Sequence, residues 1–180
     1  MNAIISETIE TLFENRTTTI ARDLKLNLIK FLDGGALSPE EAHLALLAAA
    51  TSLGHRRLAA HAAGRLRALG IGEDEIREAE ESAALVGMLN TYYRFRHFLD
   101  NPDEYRVAGL RMTALARPLL GKERFEMLAF TVSVLNGCET CTRAHEKTLR
   151  DAGVAVEKVH DLARLASVVK GLQTLIEEEQ

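Results

Sequence analysis

The sequence predicts an all-α protein, and three observations carry that reading. Ala, Leu, Glu and Arg dominate a chain of 180 residues with only three prolines and no tryptophan. Apolar residues recur at intervals of three and four, the period of a helix with one buried face. No long stretch alternates β-branched or aromatic residues with polar ones, as a half-exposed strand does. The length fits a single domain, residues 1–180, with room for a sizeable core.

The elements follow in order. In residues 4–34, Ile5, Ile9, Leu12 and Phe13, then Leu24, Leu28, Ile29 and Leu32, mark one or two helices. Thr17-Thr18-Thr19 is the expected break and Asp33-Gly34-Gly35 the stop. Ser38-Pro39-Glu40-Glu41 is a strong helix start, with Ser38 as N-cap, Pro39 in the first turn and Glu41 closing a capping box. That helix runs to about Leu53. Gly54 separates it from a helix over 55–69, which Gly70 stops, and a third starts at Gly72 or Glu73 and runs towards Leu89. Asn90 to Leu99 then concentrates four of the nine aromatic residues. It reads as a helix end packing its aromatics while Arg94 and Arg96 reach solvent, or as a contact to a subunit or partner. Asn101-Pro102 makes a turn, 104–117 a helix ended by Arg117-Pro118, and Gly121 opens onto a helix over 122–135. Asn136-Gly137 is a turn signal. The helix after it closes at Gly153, and a last amphipathic helix spans about Val156 to Ile176, ahead of the acidic Glu177-Glu178-Glu179.

The two halves resemble each other at an offset of 83 residues. Gly54 falls on Gly137, Gly70 on Gly153, Leu66 on Leu149 and Ile76 on Val159, without a gap. A duplicated unit is expected, about 38–89 and 121–172, packed about a pseudo-twofold. In this register Cys138, Cys141 and His145 fall opposite His55, Leu58 and Ala62, and Glu126 opposite His43. Only the second copy carries thiols.

Both cysteines lie in Asn136-Gly137-Cys138-Glu139-Thr140-Cys141-Thr142-Arg143-Ala144-His145-Glu146. On the first turns of a helix, positions i, i+3 and i+7 share a stripe, so Cys138, Cys141 and His145 line one face. A helix N-terminus favours an anion, and the thiolate is the reactive form of cysteine. His145, one turn beyond Cys141, can exchange a proton with it. Two thiols this close can form a disulfide, or one can condense with the sulfenic acid of the other. Glu126, on the preceding helix of an αα-hairpin, can face the same stripe, although a helical glutamate is more often a solvated charge. Three readings compete: redox or peroxidatic chemistry, a zinc site built from Cys138, Cys141, His145 and Glu126, and inert buried cysteines. Structural zinc usually takes a second Cys/His pair, and none is evident. The histidines at 55, 61, 97 and 160 read as surface or partly buried, with His97 near Asp100 and His160 near Glu157 as ordinary helix pairs.

A net charge of −4 and a pI near 5.9 do not favour nucleic-acid binding as the main task. No apolar run reaches the ~18 residues of a membrane span. The N-terminal segment lacks the basic and long apolar regions of a signal peptide, so a cytoplasmic location is expected. In a reducing compartment a lone Cys-x-x-Cys points to catalysis or metal binding rather than a structural staple.

With these residues in hand, the chain resembles the AhpD alkylhydroperoxidase family of the carboxymuconolactone decarboxylase-like superfamily. The stretch at 136–146, continued through Thr148-Leu149-Arg150, looks like that family's active-site signature. Tyr92-Tyr93-Arg94-Phe95-Arg96-His97 is similar to a second family segment. The resemblance implies an all-helical homotrimer that reduces alkyl hydroperoxides and regenerates an AhpC-type peroxiredoxin. No bound cofactor or metal is implied. Electrons would come from a lipoyl-bearing acyltransferase and dihydrolipoamide dehydrogenase. Carried over, Cys141 would be the peroxidatic thiol that becomes a sulfenic acid, and Cys138 the proton donor and resolving thiol. Glu126 and His145 would form the proton relay, directly or through a water. A non-enzymatic thiol sensor is the main alternative. Some family members have a histidine directly before the second cysteine, where this chain has Thr140. Tuning of the thiols is then left to Glu126, His145 and the helix dipole, and a weaker or differently pH-dependent activity is expected.

Overall fold

In the computed structural model, residues 9–175 are described, and they are helical throughout their ordered elements. The expected periodic position Ile5 and the acidic Glu177-Glu178-Glu179 lie outside them. The helices are α1 (Ile9–Leu12), α2 (Thr19–Asp33), α3 (Pro39–Ser52), α4 (Arg56–Ala68), α5 (Glu73–His97), α6 (Lys122–Leu135), α7 (Glu139–Asp151) and α8 (Val156–Leu175). Two short 3₁₀ turns, Pro102–Tyr105 and Thr113–Ala116, fill the long connection between α5 and α6. Thr18 caps α2 by accepting from the Ala21 amide. Ser38 and Glu41 form the expected reciprocal box on α3, with Pro39 in its first turn.

The core is built on α3 and α6. Every residue of α3 from Ala42 to Ala50 is buried, and in α6 the run Phe125 to Ser133 is buried except at Glu126. A helix without an exposed face must be enclosed by its neighbours. Accordingly α3 packs on α4, α5, α6 and α8, and α6 on α3, α5, α7 and α8. The stretch 42–50 of α3 contains one titratable residue, His43, and the stretch 125–133 of α6 contains one, Glu126.

The chain forms two similar helical units. The helices α3, α4 and α5 begin at 39, 56 and 73, and α6, α7 and α8 at 122, 139 and 156, each pair 83 residues apart. The connections match as well. Gly54 and Gly137 have φ of 70° and 62°, and Gly70 and Gly153 have 85° and 88°. Each is followed by an amide that reaches back across the turn: His55 to Ala50 O, Cys138 to Ser133 O, Ile71 to Leu66 O and Val154 to Leu149 O. These are four Schellman motifs at equivalent places. The units are tied together by Lys158, which donates to both Glu41 carboxylate oxygens at 2.6 and 2.8 Å.

Three expectations are corrected. Residues 104–117 do not form a helix. Gly109 takes a left-handed φ of 65°, Val107 is 80% exposed, and neither 3₁₀ turn buries a residue. A helix there would have no face to dock, and docking supplies most helical stability. Next, α5 extends past Leu89 to His97, so that the stretch from Asn90 on is its end, but its arginines do not simply reach solvent. Arg94 donates to the Asn136 carbonyl and Arg96 to that of Pro102. Finally, His55 and His61, expected on the surface or partly buried, are buried, His55 as the residue before α4 and His61 within it.

Asp161, itself buried, accepts from the Ala36 amide at 2.7 Å and from Arg164 at 2.9 Å, holding the Gly34-Gly35 loop onto α8. A Cβ on Gly35 would lie 2.7 Å from the Asp161 Oδ2, which cannot retreat without breaking those bonds. Gly35→Ala should therefore lower stability by about 1–3 kcal/mol in urea unfolding. The penalty should shrink in an Asp161→Ala background, and additive losses would refute the contact.

Burial pushes the His43 imidazole below its usual 6.5, with Arg65 and His61 adding to it, against the opposing hydrogen bond to the Pro39 carbonyl and the Asp33 charge. The folded state thus prefers neutral His43. Its contribution is complete above pH 6.5 and declines as pH falls, because the unfolded chain takes up the proton first. Between pH 7 and about 5, wild type should lose more stability than His43→Gln. Parallel pH curves for the two proteins would exclude this origin.

Candidate active site

The site grows out of one connection. Gly137, in the left-handed region, ends α6, and Cys138 follows as the residue whose amide bonds back to Ser133 O at 3.1 Å. Cys138 is at the same time the N-cap of α7, its Sγ accepting from the Cys141 amide at 3.4 Å. The expected placement of Cys-x-x-Cys on the first turn therefore holds, with Cys138 capping and Cys141 in the third helical position. The two sulfurs are bonded as a disulfide, with Cα atoms 5.3 Å apart. Both cysteines are buried, at 1% and 6% exposure.

His145 lies one turn beyond Cys141 on the same helix. Its Nδ1 is 2.7 Å from Glu126 Oε2. The hairpin of α6 and α7 brings these side chains together although they are 19 residues apart. The contact is direct. With Nδ1–H donated to the carboxylate, Nε2 keeps its lone pair and can accept a proton. Glu126 also lines a groove of about 470 Å³ with Lys122, Thr148 and Asp151, which opens the carboxylate to solvent. The arrangement sets a buried disulfide at the start of α7, an imidazole one helical turn beyond Cys141, and a partly exposed carboxylate hydrogen-bonded to that imidazole.

All four residues singled out in the sequence, Cys138, Cys141, His145 and Glu126, thus belong to one locality. Thr140, between the cysteines, is exposed. Among the described residues no group of three or more His, Cys, Asp or Glu is disposed to hold a metal ion.

The sequence reading missed the support beneath the turn. Asn90 donates to Ser133 Oγ at 2.9 Å and accepts from Asn136 Nδ2 at 3.0 Å, and Arg94 Nη1 reaches the Asn136 carbonyl at 2.5 Å. One signal was present. Asn90 continues the buried stripe of Ala79, Ala83 and Val86 on α5, and a polar residue at a core position needs a partner.

The carboxymuconolactone decarboxylase family (CMD) profile matches residues 105–176. The chain is 39% identical over 158 residues to the alkyl hydroperoxide reductase AhpD of Anaeromyxobacter dehalogenans (strain 2CP-C), covering 87% of this chain and 84% of that protein. The chain belongs to the AhpD family. The AhpD of Mycolicibacterium smegmatis is 38% identical over 84% of this chain and 85% of its own length. The AhpD of Gluconacetobacter diazotrophicus is 31% identical over 94% and 92%. Membership and an all-helical fold of two units therefore agree with the expectation drawn from the 136–146 stretch. No helix among the described residues is long and apolar enough to cross a membrane.

The turn itself can be tested. A side chain at Gly137 must adopt φ of 62°, which costs about 1–2 kcal/mol for alanine and less for asparagine. Gly137→Ala should lower the melting temperature more than Gly137→Asn, with slower disulfide closure after oxidant addition in both. Equal melting temperatures for wild type and Gly137→Ala would contradict the strain argument.

Proposed function

We propose that the chain is a dithiol peroxidase that reduces alkyl hydroperoxides, with Cys141 as the attacking sulfur. The observation that carries this reading is the His145–Glu126 pair set one turn behind a disulfide-forming Cys138/Cys141 at a helix start. Relatives in the AhpD family bear the name alkyl hydroperoxide reductase, which supports the same substrate class.

In the reduced chain, His145 Nε2 accepts the Cys141 proton, with Glu126 stabilising the imidazolium. The Cys141 thiolate attacks the outer oxygen of ROOH, the O–O bond breaks, and the alkoxide leaves as ROH with a proton from Cys138. The product on Cys141 is a sulfenic acid. The Cys138 thiolate then attacks the Cys141 sulfur, the S–O bond breaks, the hydroxide takes the proton held on His145 and leaves as water, and the disulfide forms. A dithiol reopens it by exchange and becomes a disulfide itself. A dihydrolipoyl group on an acyltransferase, kept reduced by dihydrolipoamide dehydrogenase, is the proposed donor. An AhpC-type peroxiredoxin is the proposed recipient in an adaptor role. The location proposed is the cytoplasm, where such a donor is kept reduced.

A homotrimer is also proposed. Phe98, Val107 and Leu119 are large apolar residues at 76%, 80% and 66% exposure, side chains of the kind a partner subunit covers. The matched starts of the helices support a further proposal, that the units about 38–89 and 121–172 arose by duplication, with the second unit carrying the chemistry.

Reduced protein should consume an organic hydroperoxide in steady state with excess dihydrolipoyl donor. Cys141→Ser should abolish turnover, and Cys138→Ser should accumulate a sulfenic acid that dimedone traps. Glu126→Gln should lower kcat by about 10²-fold, the lower end of acid–base catalysis. One stoichiometric oxidation without turnover would replace the peroxidase reading with a thiol sensor. Full activity in Cys141→Ser would overturn the assignment of the attacking sulfur.

A further inference from the structure

The end of α5 grips the beginning of the thiol site, and the peroxidase scheme makes no use of it. The Asn136 carbonyl belongs to the last turn of α6, where carbonyls have no partner within the helix. Arg94 supplies that partner at 2.5 Å. The Asn136 side chain is held from the same helix by the buried Asn90, which also binds Ser133. Ser133 in turn receives the Cys138 amide on its carbonyl. Two residues of α5 therefore hold the end of α6 that leads into the Gly137 turn, on which the position of Cys138 depends. Arg94 also lines a cleft of about 360 Å³ with Thr51, Ser52 and Thr91, so the guanidinium keeps contact with water. His97 approaches Glu139 at 3.8 Å, but both are about half exposed, so this second contact is weak.

We propose that Arg94 is a positioning residue of the dithiol, which holds the turn before Cys138 and fixes a positive charge beside the start of α7. This rests on the reading of Cys138 and Cys141 as a redox pair, but not on their reaction with peroxide. The physical consequence is one-sided. A fixed cation favours the thiolate form of the reduced pair and does nothing comparable for the neutral disulfide. Arg94 thereby raises thiol reactivity at neutral pH and makes the disulfide easier to reduce. The same arginine sets both geometry and charge, which explains why its end of α5 points at a backbone carbonyl rather than at a carboxylate that would neutralise it.

The test uses the full chain with Arg94→Met, Arg94→Gln and Arg94→Lys, and Arg96→Met as control. Arg96 sits on the same helix end and carries the same charge but holds Pro102 instead. Two readouts need no turnover: the pH dependence of iodoacetamide alkylation of the reduced protein, and the disulfide equilibrium against reduced and oxidised dithiothreitol. Arg94→Met and Arg94→Gln should move the alkylation profile upward by about one pH unit, about tenfold slower reaction at neutral pH. Poised at a pH above the alkylation midpoints of both proteins, the equilibrium should move about tenfold towards the disulfide in both variants. Arg94→Lys should recover most of both shifts, and Arg96→Met should match wild type. A wild-type profile in Arg94→Met, or an equal shift in Arg96→Met, would overturn the proposal. If Arg94→Met does not fold, Arg94→Lys against Arg94→Gln decides, and identical profiles for those two overturn it. Failure of the peroxidase scheme leaves both readouts in place, whereas absence of any reversible disulfide would defeat the redox reading on which it rests.

Discussion

A single left-handed residue, Gly137, sets the geometry on which the site depends. It lets α6 end and α7 begin with no intervening loop, so that Cys138 closes one helix and caps the next. A longer connection would leave the sulfur on mobile backbone. Here its amide is bonded to Ser133 and its Sγ faces the Cys141 amide. Cys141 and His145 then follow by helical repeat alone, since three and seven residues on from Cys138 fall on its face. The equivalent turn at Gly54 has the same form, yet places His55 and Leu58 where the cysteines stand in the second unit. The turn is thus structural in both units and becomes chemical only through the side chains mounted on it.

The enclosing of α3 and α6 imposes the second condition. A buried carboxylate without a partner is costly, and one whose partner is removed is costlier still. Glu126, only partly buried, eases it by bonding His145 and by facing a groove open to solvent. The first unit meets the same condition differently. His43, at the matching position, stays neutral and gives its Nδ1 hydrogen to Pro39. One scaffold therefore accepts a carboxylate–imidazole pair where a groove supplies solvent, and an imidazole bonded to backbone where the helix is sealed.

Local signals were legible in the sequence. The starts at Pro39, Lys122 and Val156 and the stops at Gly54, Gly70 and Gly153 come from caps and glycines, whose effect is confined to one turn. The Cys138, Cys141, His145 stripe was legible for the same reason, because it needs only helical repeat. The pairing with Glu126 needed the hairpin, and a short Asn-Gly turn made that hairpin foreseeable. What escaped was non-local. Arg94 and Asn90 meet the site from 42 and 46 residues away, and nothing near them in the chain encodes the partner. The stretch 104–117 failed in the opposite sense. Its composition suits a helix, but it has no core to lie against, and local propensity alone does not hold one.

The same geometry constrains how protons move when the disulfide opens. A thiolate on Cys138 would accept the Cys141 amide hydrogen as a charge-assisted bond, stronger than the one made to a neutral sulfur. A thiolate on Cys141 would lie within the first turn of α7, where the helix dipole also favours an anion. The backbone therefore stabilises negative charge on either sulfur and discriminates little between them. Discrimination must come from the side chain that supplies or removes the proton. Thr140 is exposed and cannot act as a base, and His97 is tied, weakly, to Glu139 on the outer surface. That leaves His145, one turn from Cys141 and two from Cys138, with Glu126 fixing its tautomer. The asymmetry between an attacking and a resolving sulfur is in this view not a property of the sulfurs. In the proposed scheme it is set by which of them lies one helical turn from the imidazole.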